Sequence, residues 1–193
     1  MHSPGTSFML SHHFTTTASN TETSAAADDF DVPAGETWDI HSIGIIGSYW
    51  QDEPGGGDTL NVFILNDNNG SPGDTLFESI AHTDFLKMEE MVGLALMTYF
   101  EIYLPSIVIL TEGNYWVSVQ MHSDVNTTGK WGWMEHYYDA GFYGAEWHWI
   151  NPENGFGLGF TDWTPASVVA GPWLSWELSF ALFGTPPAND LSI

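Results

Sequence analysis

The chain has 193 residues, of which 25 are acidic and only two, Lys87 and Lys130, are basic, so its formal net charge is −23. Nucleic acids and anionic membrane surfaces attract proteins through clustered Lys and Arg, and this chain contains no Arg. The composition therefore excludes a nucleic-acid-binding function. Almost no carboxylate can find an ion-pair partner within the chain, so water, bulk cations or a bound divalent metal must balance the charge.

The overall composition favours one folded domain. Hydrophobic residues make up 43% of the chain, which excludes a disordered acidic chain. A chain of this length can bury a sizeable core. We expect no membrane insertion, because no apolar run approaches the roughly 20 residues of a spanning helix. The absence of Cys excludes disulfides and thiolate metal sites.

Residues 1–27 are rich in Ser, Thr, Ala and His and have no clear hydrophobic period, which is typical of an arm or linker. Within them Phe8, Leu10 and Phe14 lie in stretches of strand-forming composition. Such a strand can add to an open sheet edge of a neighbouring subunit, or it can pack on its own domain. We therefore predict an N-terminal arm over residues 1–27 that can supply an exchanged strand.

From residue 28 onward the hydrophobic period is two. Apolar and polar residues alternate over 115–121 and again over 174–182, and turns rich in Gly, Pro and Asn separate such runs. Alternation buries one face of a strand and solvates the other, as antiparallel sheets require. The pattern predicts an all-β fold, an antiparallel two-sheet β-sandwich that is jelly-roll-like, over residues 28–185. A C-terminal tail over 186–193 follows.

Oxygen-bearing side chains in two stretches form a candidate calcium site. They are Asp28, Asp29, Asp67, Asn68, Asn69 and Asp74. Calcium takes about six to eight oxygen ligands, and acidic loops supply them in extracellular modules. The spacing does not fit an EF-hand, because Leu65 stands where the first ligand belongs when Gly70 is the turn glycine. A solvated hairpin loop explains the same residues, so both interpretations stay open.

An aromatic stretch in the second half of the chain is the other candidate site. Exposed Trp and Tyr side chains of a β-sandwich can stack on sugar rings, whereas buried ones form a core or a subunit interface. Both interpretations apply to Trp131, Trp133, Tyr137, Tyr138, Tyr143, Trp147 and Trp149.

Motifs for catalysis are not evident. The histidines show no His-Glu-x-x-His spacing that would hold zinc, and the chain has no Gly-x-Ser-x-Gly elbow. With 25 carboxylates, a close pair would arise by chance, so no proton-transfer role can be assigned. We expect that the protein is not an enzyme.

A series of motifs occurs in a fixed order along residues 28–185. They are Asp28-Asp29-Phe30, VPAGETW at 32–38, NVFILNDNNGSPG at 61–73, GNYWVSV at 113–119, NPENGFG at 151–157, TDWTP at 161–165 and ELSFALFG at 177–184. The series resembles a domain of secreted bacterial proteins that are often large, modular and surface-associated. The resemblance implies a β-sandwich and export, but it implies no activity, because no catalytic residues are known for that domain.

Two classes of function follow. The first is an extracellular or cell-surface structural or adhesive protein that associates with itself into fibres or sheets through its arm and sheet edges. High salt or calcium would favour that assembly, because screening reduces the repulsion between subunits. The alternative is a carbohydrate-binding module that uses exposed Trp and Tyr. The predicted partners are therefore the protein itself or glycans, and the predicted cofactor, if any, is Ca²⁺.

Overall fold

Strands account for nearly all of the regular structure. The computed structural model describes residues 4–16, 18–49, 59–92, 95–136, 144–171 and 177–185. The helical segments in these ranges are α1 (Val125–Thr128), α2 (Ala166–Val169) and a 3-10 turn (Asn20–Glu22). The strands are β1 (Pro4–Leu10), β2 (His12–Phe14), β3 (Ala25–Tyr49), β4 (Thr59–Asp67), β5 (Pro72–His82), β6 (Phe85–Val92), β7 (Ala95–Ser123), β8 (Trp131–His136), β9 (His148–Ile150), β10 (Thr164–Pro165) and β11 (Phe180–Thr185). The prediction of an all-β fold is confirmed.

Two long strands, β3 and β7, organise the sheet by pairing antiparallel over most of their length. The pairing is interrupted twice. Residues 33–36 of β3 have only Glu112 of β7 opposite them, and residues 104–107 of β7 have only His41 of β3 opposite them. Extra residues on one strand of a pair bend that strand and increase its twist. These two irregularities therefore curl the sheet.

The remaining strands attach to this pair. On one side β3 pairs with β8, which pairs with β1, and on the other side β7 pairs with β4, which pairs with β5. Strands β9 and β11 add to β3, strands β2 and β6 add to β7, and β10 adds to β9. The pairs are antiparallel except for that of β2 with β7. The described strands thus form one curled network, and a division into two stacked sheets or a jelly roll is not confirmed.

The main core lies on the inner side of the curl. Its fully buried side chains include Ile43, Ile45, Leu60, Val62, Ile64, Phe100, Ile102, Val117, Val119, Trp131 and Trp133. The alternation over 115–121 predicted one solvated face, but both faces of this segment are buried. Trp116 packs with Ala27 and Leu65 in a second, smaller cluster on the opposite side of the sheet. Residues 116–121 are therefore removed from water on both faces.

The N-terminal segment is part of the sheet. Strand β1 pairs with β8 and β2 pairs with β7 of the same chain. Phe8 and Leu10 are half-buried and Phe14 is buried in the core region. The Ser11 hydroxyl donates to the Val119 carbonyl oxygen at 2.6 Å and accepts from the Ala26 amide at 3.1 Å. These bonds tie the segment to both long strands.

The predicted domain boundary between residues 27 and 28 is wrong, because a single strand runs across it. Both residues lie inside β3, which starts at Ala25 and continues without a break through the predicted boundary. Residues 4–27 are therefore not a separate arm in this structure, and an exchanged strand stays a prediction. The predicted tail at 186–193 lies outside the described residues.

Replacing Ser11 by Ala should lower the free energy of unfolding by about 1–3 kcal/mol, because the Ala26 amide and the Val119 carbonyl would lose a buried hydrogen-bond partner. Denaturant titration of both proteins measures the difference. Ser106→Ala is the control, because Ser106 is an exposed serine of β7. Equal losses in the two variants, or none in Ser11→Ala, would show that the N-terminal segment does not stabilise the domain.

Candidate functional site

An open cleft of about 270 Å³ lies beside the first bend of β3. Its walls combine aromatic side chains with acidic residues from the two ends of the chain. The lining residues are Asp29, Phe30, Asp31, Trp38, His136, Glu177, Leu178 and Phe180. We call this site the aromatic cleft.

The bend that forms the cleft is built by the residues 33–36 that β7 leaves unpaired. Gly35 sits at the turn with φ of +81°, a conformation that glycine adopts without strain. Its amide donates to Oε2 of Glu112 at 2.7 Å, which ties the loop to β7. Because residues 33–36 bulge out of the pairing, Phe30 and Trp38 lie closer together than eight positions of a regular strand would place them.

Three aromatic rings gather around Phe30. The Phe30 and Trp38 rings lie 6.4 Å apart between centroids and are inclined by only 5°. The Tyr115 ring is 5.7 Å from Phe30, and the Phe180 ring is 6.5 Å from it. All four side chains are half-buried and rest against the main core. The indole N–H of Trp38 donates to Oε2 of Glu36 at 2.8 Å, which holds the ring in place. Packed, oriented aromatic surfaces of this kind suit a flat apolar ligand.

The Asp28 carboxyl group lies behind the cleft, near the lining residue Glu177. Asp28 is fully buried, and its carboxylate accepts from the Leu178 amide at 2.6 Å and from the Asp29 amide at 3.2 Å. Burial raises the pKa of Asp28 well above its ordinary value of 3.8, and the charge of nearby Glu177 raises it further. The amide bonds act in the opposite direction. Asp28 therefore joins β3 through a buried hydrogen bond to Leu178, which lies two residues ahead of β11.

A third carboxyl group, that of Asp29, sits at the margin of the cleft. It accepts a hydrogen bond from the Ala145 amide at 2.9 Å. Burial raises the pKa of Asp29 from 3.8 to about 6, although this hydrogen bond acts against the shift. The charges of Asp67 and Asp31 add to the increase. The negative charges of Asp31 on β3 and Asp67 on β4 therefore both act on the Asp29 carboxyl group.

His136 is the basic side chain among the residues given above as lining the aromatic cleft, and neither Lys is among them. Lys87 lies 2.8 Å from a carboxylate oxygen of Glu89, on β6. Lys130 lies 3.1 Å from a carboxylate oxygen of Glu22. These are the only Lys residues of the chain, and the chain has no Arg. The carboxyl groups that line the cleft therefore have no Lys or Arg beside them in the lining.

The aromatic residues predicted as a glycan platform lie elsewhere. Trp131, Trp133 and Trp147 are 0% exposed and Trp149 is 3% exposed. A ring without solvent-accessible surface cannot stack on a sugar, so the platform prediction is wrong for these four residues and their alternative assignment to the core is confirmed. Tyr137, Tyr138 and Tyr143 lie outside the described residues.

The residues predicted to bind calcium lie on three strands, β3, β4 and β5, and in the turn between β4 and β5. Both carboxylate oxygens of Asp67 accept from the Gly70 amide at 3.1 Å, and one accepts from the Trp116 indole at 2.9 Å. Asn68 and Asn69 are exposed in that turn, and Asp74 is exposed on β5. Asp67 therefore has a clear role as the cap of a hairpin turn.

Asp28 and Asp29 of the same predicted set lie on β3, beside the aromatic cleft. Across the described ranges, no group of three or more His, Cys, Asp or Glu residues is arranged to hold a metal ion. Calcium binding stays a prediction.

The sequence interpretation missed Phe30, Trp38 and Phe180 as site residues. Each lies within a motif, and Gly35 lies between the first two in the sequence. A turn glycine flanked by two aromatic residues is the available signal, but their contact depends on the bend in β3, which is set by pairing with a distant part of the chain.

Comparisons with models of protein families, with curated proteins and with solved structures gave no match. The resemblance to a domain of secreted bacterial proteins stays a prediction. Within the described ranges, no helix has the length and apolar character needed to cross a membrane.

Stability should depend on pH through Asp29. Because the pKa of Asp29 is raised in the folded state, that state binds more protons than the unfolded chain between pH 3.8 and about 6. This stabilisation is complete below pH 3.8 and is lost as the pH rises through 6. The free energy of unfolding should therefore fall over this window, and Asp29→Asn should reduce the fall.

Thermal unfolding between pH 3.5 and 7.5 measures the effect. Asp74→Asn is the matched control, because it removes one carboxylate from an exposed position outside the cleft. If the two variants have the same pH profile, the Asp29 carboxyl is not the group that titrates.

Proposed function

We propose that the protein is a non-catalytic module that binds saccharides in the aromatic cleft. The observation that supports this most is the pair of nearly parallel, half-buried rings of Phe30 and Trp38 beside the carboxylate residues Asp31 and Glu177. The function agrees with the predicted alternative of a carbohydrate-binding module, but it depends on different aromatic residues.

The chemistry of the walls matches that of a sugar ring. A pyranose has apolar C–H faces, which pack against aromatic rings, and equatorial hydroxyls, which donate hydrogen bonds to carboxylates. The volume of about 270 Å³ is close to the lower end of the range for ligand pockets, about 300 Å³. The cleft is thus suited to a short segment of an oligosaccharide rather than to a large ligand.

The enclosure of Asp28 behind the cleft agrees with binding rather than hydrolysis. Glycosidases place two carboxyl groups on either side of the scissile bond, where both touch the substrate. Asp28 is 0% exposed, and its two oxygens already accept from backbone amides. A group so enclosed holds the walls of the cleft together. Consistent with the predicted export, we propose that the module acts outside the cell or at its surface.

Replacing Trp38 by Ala should weaken binding of a neutral or charged oligosaccharide by about tenfold or more, which is the scale of a lost aromatic anchor. Binding is measured by calorimetry against a panel of tetrasaccharides. Trp163→Ala is the control, because it removes another half-buried indole that packs on the small cluster around Trp116. The proposal fails if no tetrasaccharide binds the wild-type protein, or if both variants bind equally well.

Self-association is a second candidate, which a separate surface favours. Side chains on the outer side of β6, β7, β3 and β11 form rows across the four strands. Register places Leu86 opposite Glu101 and Met88 opposite Tyr99, and it places Tyr103 opposite Ser42, which pairs in turn with Phe183. We call this set, Ser42, Leu86, Met88, Tyr99, Glu101, Tyr103 and Phe183, the outer face.

The outer face leaves large apolar groups in solvent. Leu86, Met88, Tyr103 and Phe183 are between 39% and 51% exposed. Gly44 lies beneath the Phe183 and Tyr99 rings, and a Cβ on it would come within 3.1 Å of both side chains. Contiguous apolar surface at sheet edges commonly mediates association. Any such assembly must overcome the repulsion between subunits of charge −23.

The double change Leu86→Ser with Met88→Ser should weaken self-association by at least about tenfold, since it removes two exposed apolar side chains from the outer face. Sedimentation velocity at high salt, where charge repulsion is screened, measures the dissociation constant. The control is Leu76→Ser with Ile80→Ser, which removes two similarly exposed apolar side chains from β5. A wild-type protein that stays monomeric at high salt, or equal weakening in both double variants, would contradict this second function.

A further inference from the structure

Strand β6 has an edge that no described strand pairs with, which we call the far edge. In the part of the chain that the structure describes, β6 pairs with β7 alone, and its eight residues do so without a shift of register. The other long strands at a margin of the network, β1, β5 and β11, each carry at least one such shift in their pairing. Shifts of register and short strands protect an edge against pairing with another chain. Among the described edges, that of β6 is therefore the one best suited to such pairing.

The pairing of β6 with β7 shows which backbone groups point toward the far edge. The Tyr103 amide donates to the Asp84 carbonyl oxygen at 3.0 Å. These two residues extend the register that pairs Phe85 with Ile102. Hydrogen-bonded pairs alternate with non-hydrogen-bonded pairs in an antiparallel ladder. Even-numbered residues of β6 therefore direct their amides and carbonyls at β7, and the odd-numbered ones, from Phe85 to Met91, direct theirs at the far edge.

We propose, on the basis of the second proposed function, that self-association takes place by antiparallel pairing of the far edge of β6 with the same edge of a second copy, about a two-fold axis at Met88. Odd-numbered residues of the two strands then exchange about eight backbone hydrogen bonds. The two sheets join into one, with their outer faces side by side. Because the contact is the same on both copies, it closes as a dimer.

Charge selects this register over its neighbours. Lys87 lies 2.8 Å from a carboxylate oxygen of Glu89 within its own strand. With the axis at Met88, Lys87 of each copy also lies opposite Glu89 of the other, because both are one position from the axis. A shift by two residues in either direction places Lys87 opposite Lys87 or Glu89 opposite Glu89, and like charges directly opposite destabilise a strand pair. A shift by one residue sets odd-numbered residues against even-numbered ones and removes the hydrogen bonds.

The same register brings apolar side chains together. Phe85, whose ring lies 5.2 Å from that of Phe100, is opposite Met91 of the second copy. Met88 is opposite its own counterpart. Met88 and Met91 are 51% and 58% exposed in a single copy, so the contact removes apolar surface from water. The thioether of Met91 also gains a favourable contact with an aromatic ring. The charge pattern and the apolar pattern of β6 are thus both complementary to themselves.

A lysine on an edge strand has an opposite use, which is to prevent pairing with other chains. That role requires that the second chain offers the Lys side chain no countercharge, whereas Glu89 of the second copy offers one. The two roles predict opposite effects for Lys87→Gln. Loss of a protective lysine strengthens association, and loss of a pairing lysine weakens it.

Single cysteines test the register, because the chain has no Cys of its own. In Met88→Cys the two thiols face each other across the axis in a non-hydrogen-bonded pair, about 4.5 Å apart between Cα atoms, which a disulfide can span. In the control, Leu86→Cys, the two positions lie about 14 Å apart and cannot be bridged. Leu86 and Met88 are similarly exposed, at 45% and 51%. Mild oxidation at high salt, followed by non-reducing electrophoresis, should give at least about tenfold more covalent dimer from Met88→Cys.

Charge reversals test the ion pairs between copies. Lys87→Glu and Glu89→Lys should each weaken dimerisation by about tenfold, because each sets like charges opposite one another. A mixture of the two variants should restore it, since every Lys at these positions then meets a Glu of the other copy. The pair within each strand stays broken in the mixture, so the recovery cannot come from repair inside one copy. Sedimentation velocity measures dimerisation at the lowest salt concentration at which the wild-type protein dimerises, because salt also weakens ion pairs.

The matched controls are Lys130→Glu and Glu22→Lys, which reverse the other described Lys–Glu pair with the same changes in net charge. They should leave dimerisation close to that of the wild-type protein, alone and mixed. Circular dichroism verifies that each variant is folded. The cysteine variants keep Lys87 and Glu89 and decide the register if a charge reversal does not fold.

Three results would overturn this pairing while self-association itself stands. They are equal yields of covalent dimer from Met88→Cys and Leu86→Cys, reversals at residues 87 and 89 whose effect persists on mixing, and stronger association of Lys87→Gln. A wild-type protein that stays monomeric at every salt concentration would overturn both the pairing and the second proposed function. The proposal of saccharide binding depends on none of these results.

Discussion

The pairing of β3 with β7 is the constraint on which the rest of the structure depends. These two strands supply the central rows of the core, and all but three of the other strands attach directly to one of them. Their two irregularities turn what would be a flat ribbon into a curled sheet with an inner side large enough for Trp131 and Trp133. The first irregularity, at residues 33–36, also creates the aromatic cleft. Fold and candidate site therefore share one cause.

The acidic composition acquires a more specific meaning from this arrangement. A carboxyl group in the interior must be neutral, paired or hydrogen-bonded, because an isolated buried charge is very costly. With almost no basic residues available, Asp28 relies on backbone amides and on a raised pKa. Cleft carboxylates that remain ionised have no countercharge from Lys or Arg of this chain.

Sequence patterns predicted the local structure of the chain better than they predicted contacts between residues far apart in the sequence. Period-two alternation indicated strand structure in the last part of β7 and in the first residues of β11, because side chains alternate across a strand whatever its partners are. The same pattern could not reveal that both faces of 115–121 are buried, because the cover on the Trp116 side comes from residues far along the chain.

Aromatic clusters in the sequence were misleading for a related reason. Trp131 and Trp133 share one side of β8, and only the packing of that strand against β3 decides that this side is the inner one. The start of the domain was misplaced because Ser11 and Ala25 to Ala27 carry no strong strand signal, and their burial depends on hydrogen bonds to β3 and β7. Contact between Phe30 and Trp38 likewise requires the bend in β3, which no local pattern encodes.

Chemical-shift mapping by NMR tests the central claim, that the bend in β3 builds the ligand site, most directly. The ¹⁵N-labelled protein is titrated with the tetrasaccharide that binds most tightly in the calorimetric panel, and backbone amides and indole N–H groups are followed. The predicted result is a set of shifts at residues 29–38 and 177–180 that includes the Trp38 indole, with little change at residues 86–88 and 99–103 of the outer face. Shifts confined to the outer face, or no shifts at saturating ligand, would contradict the assignment.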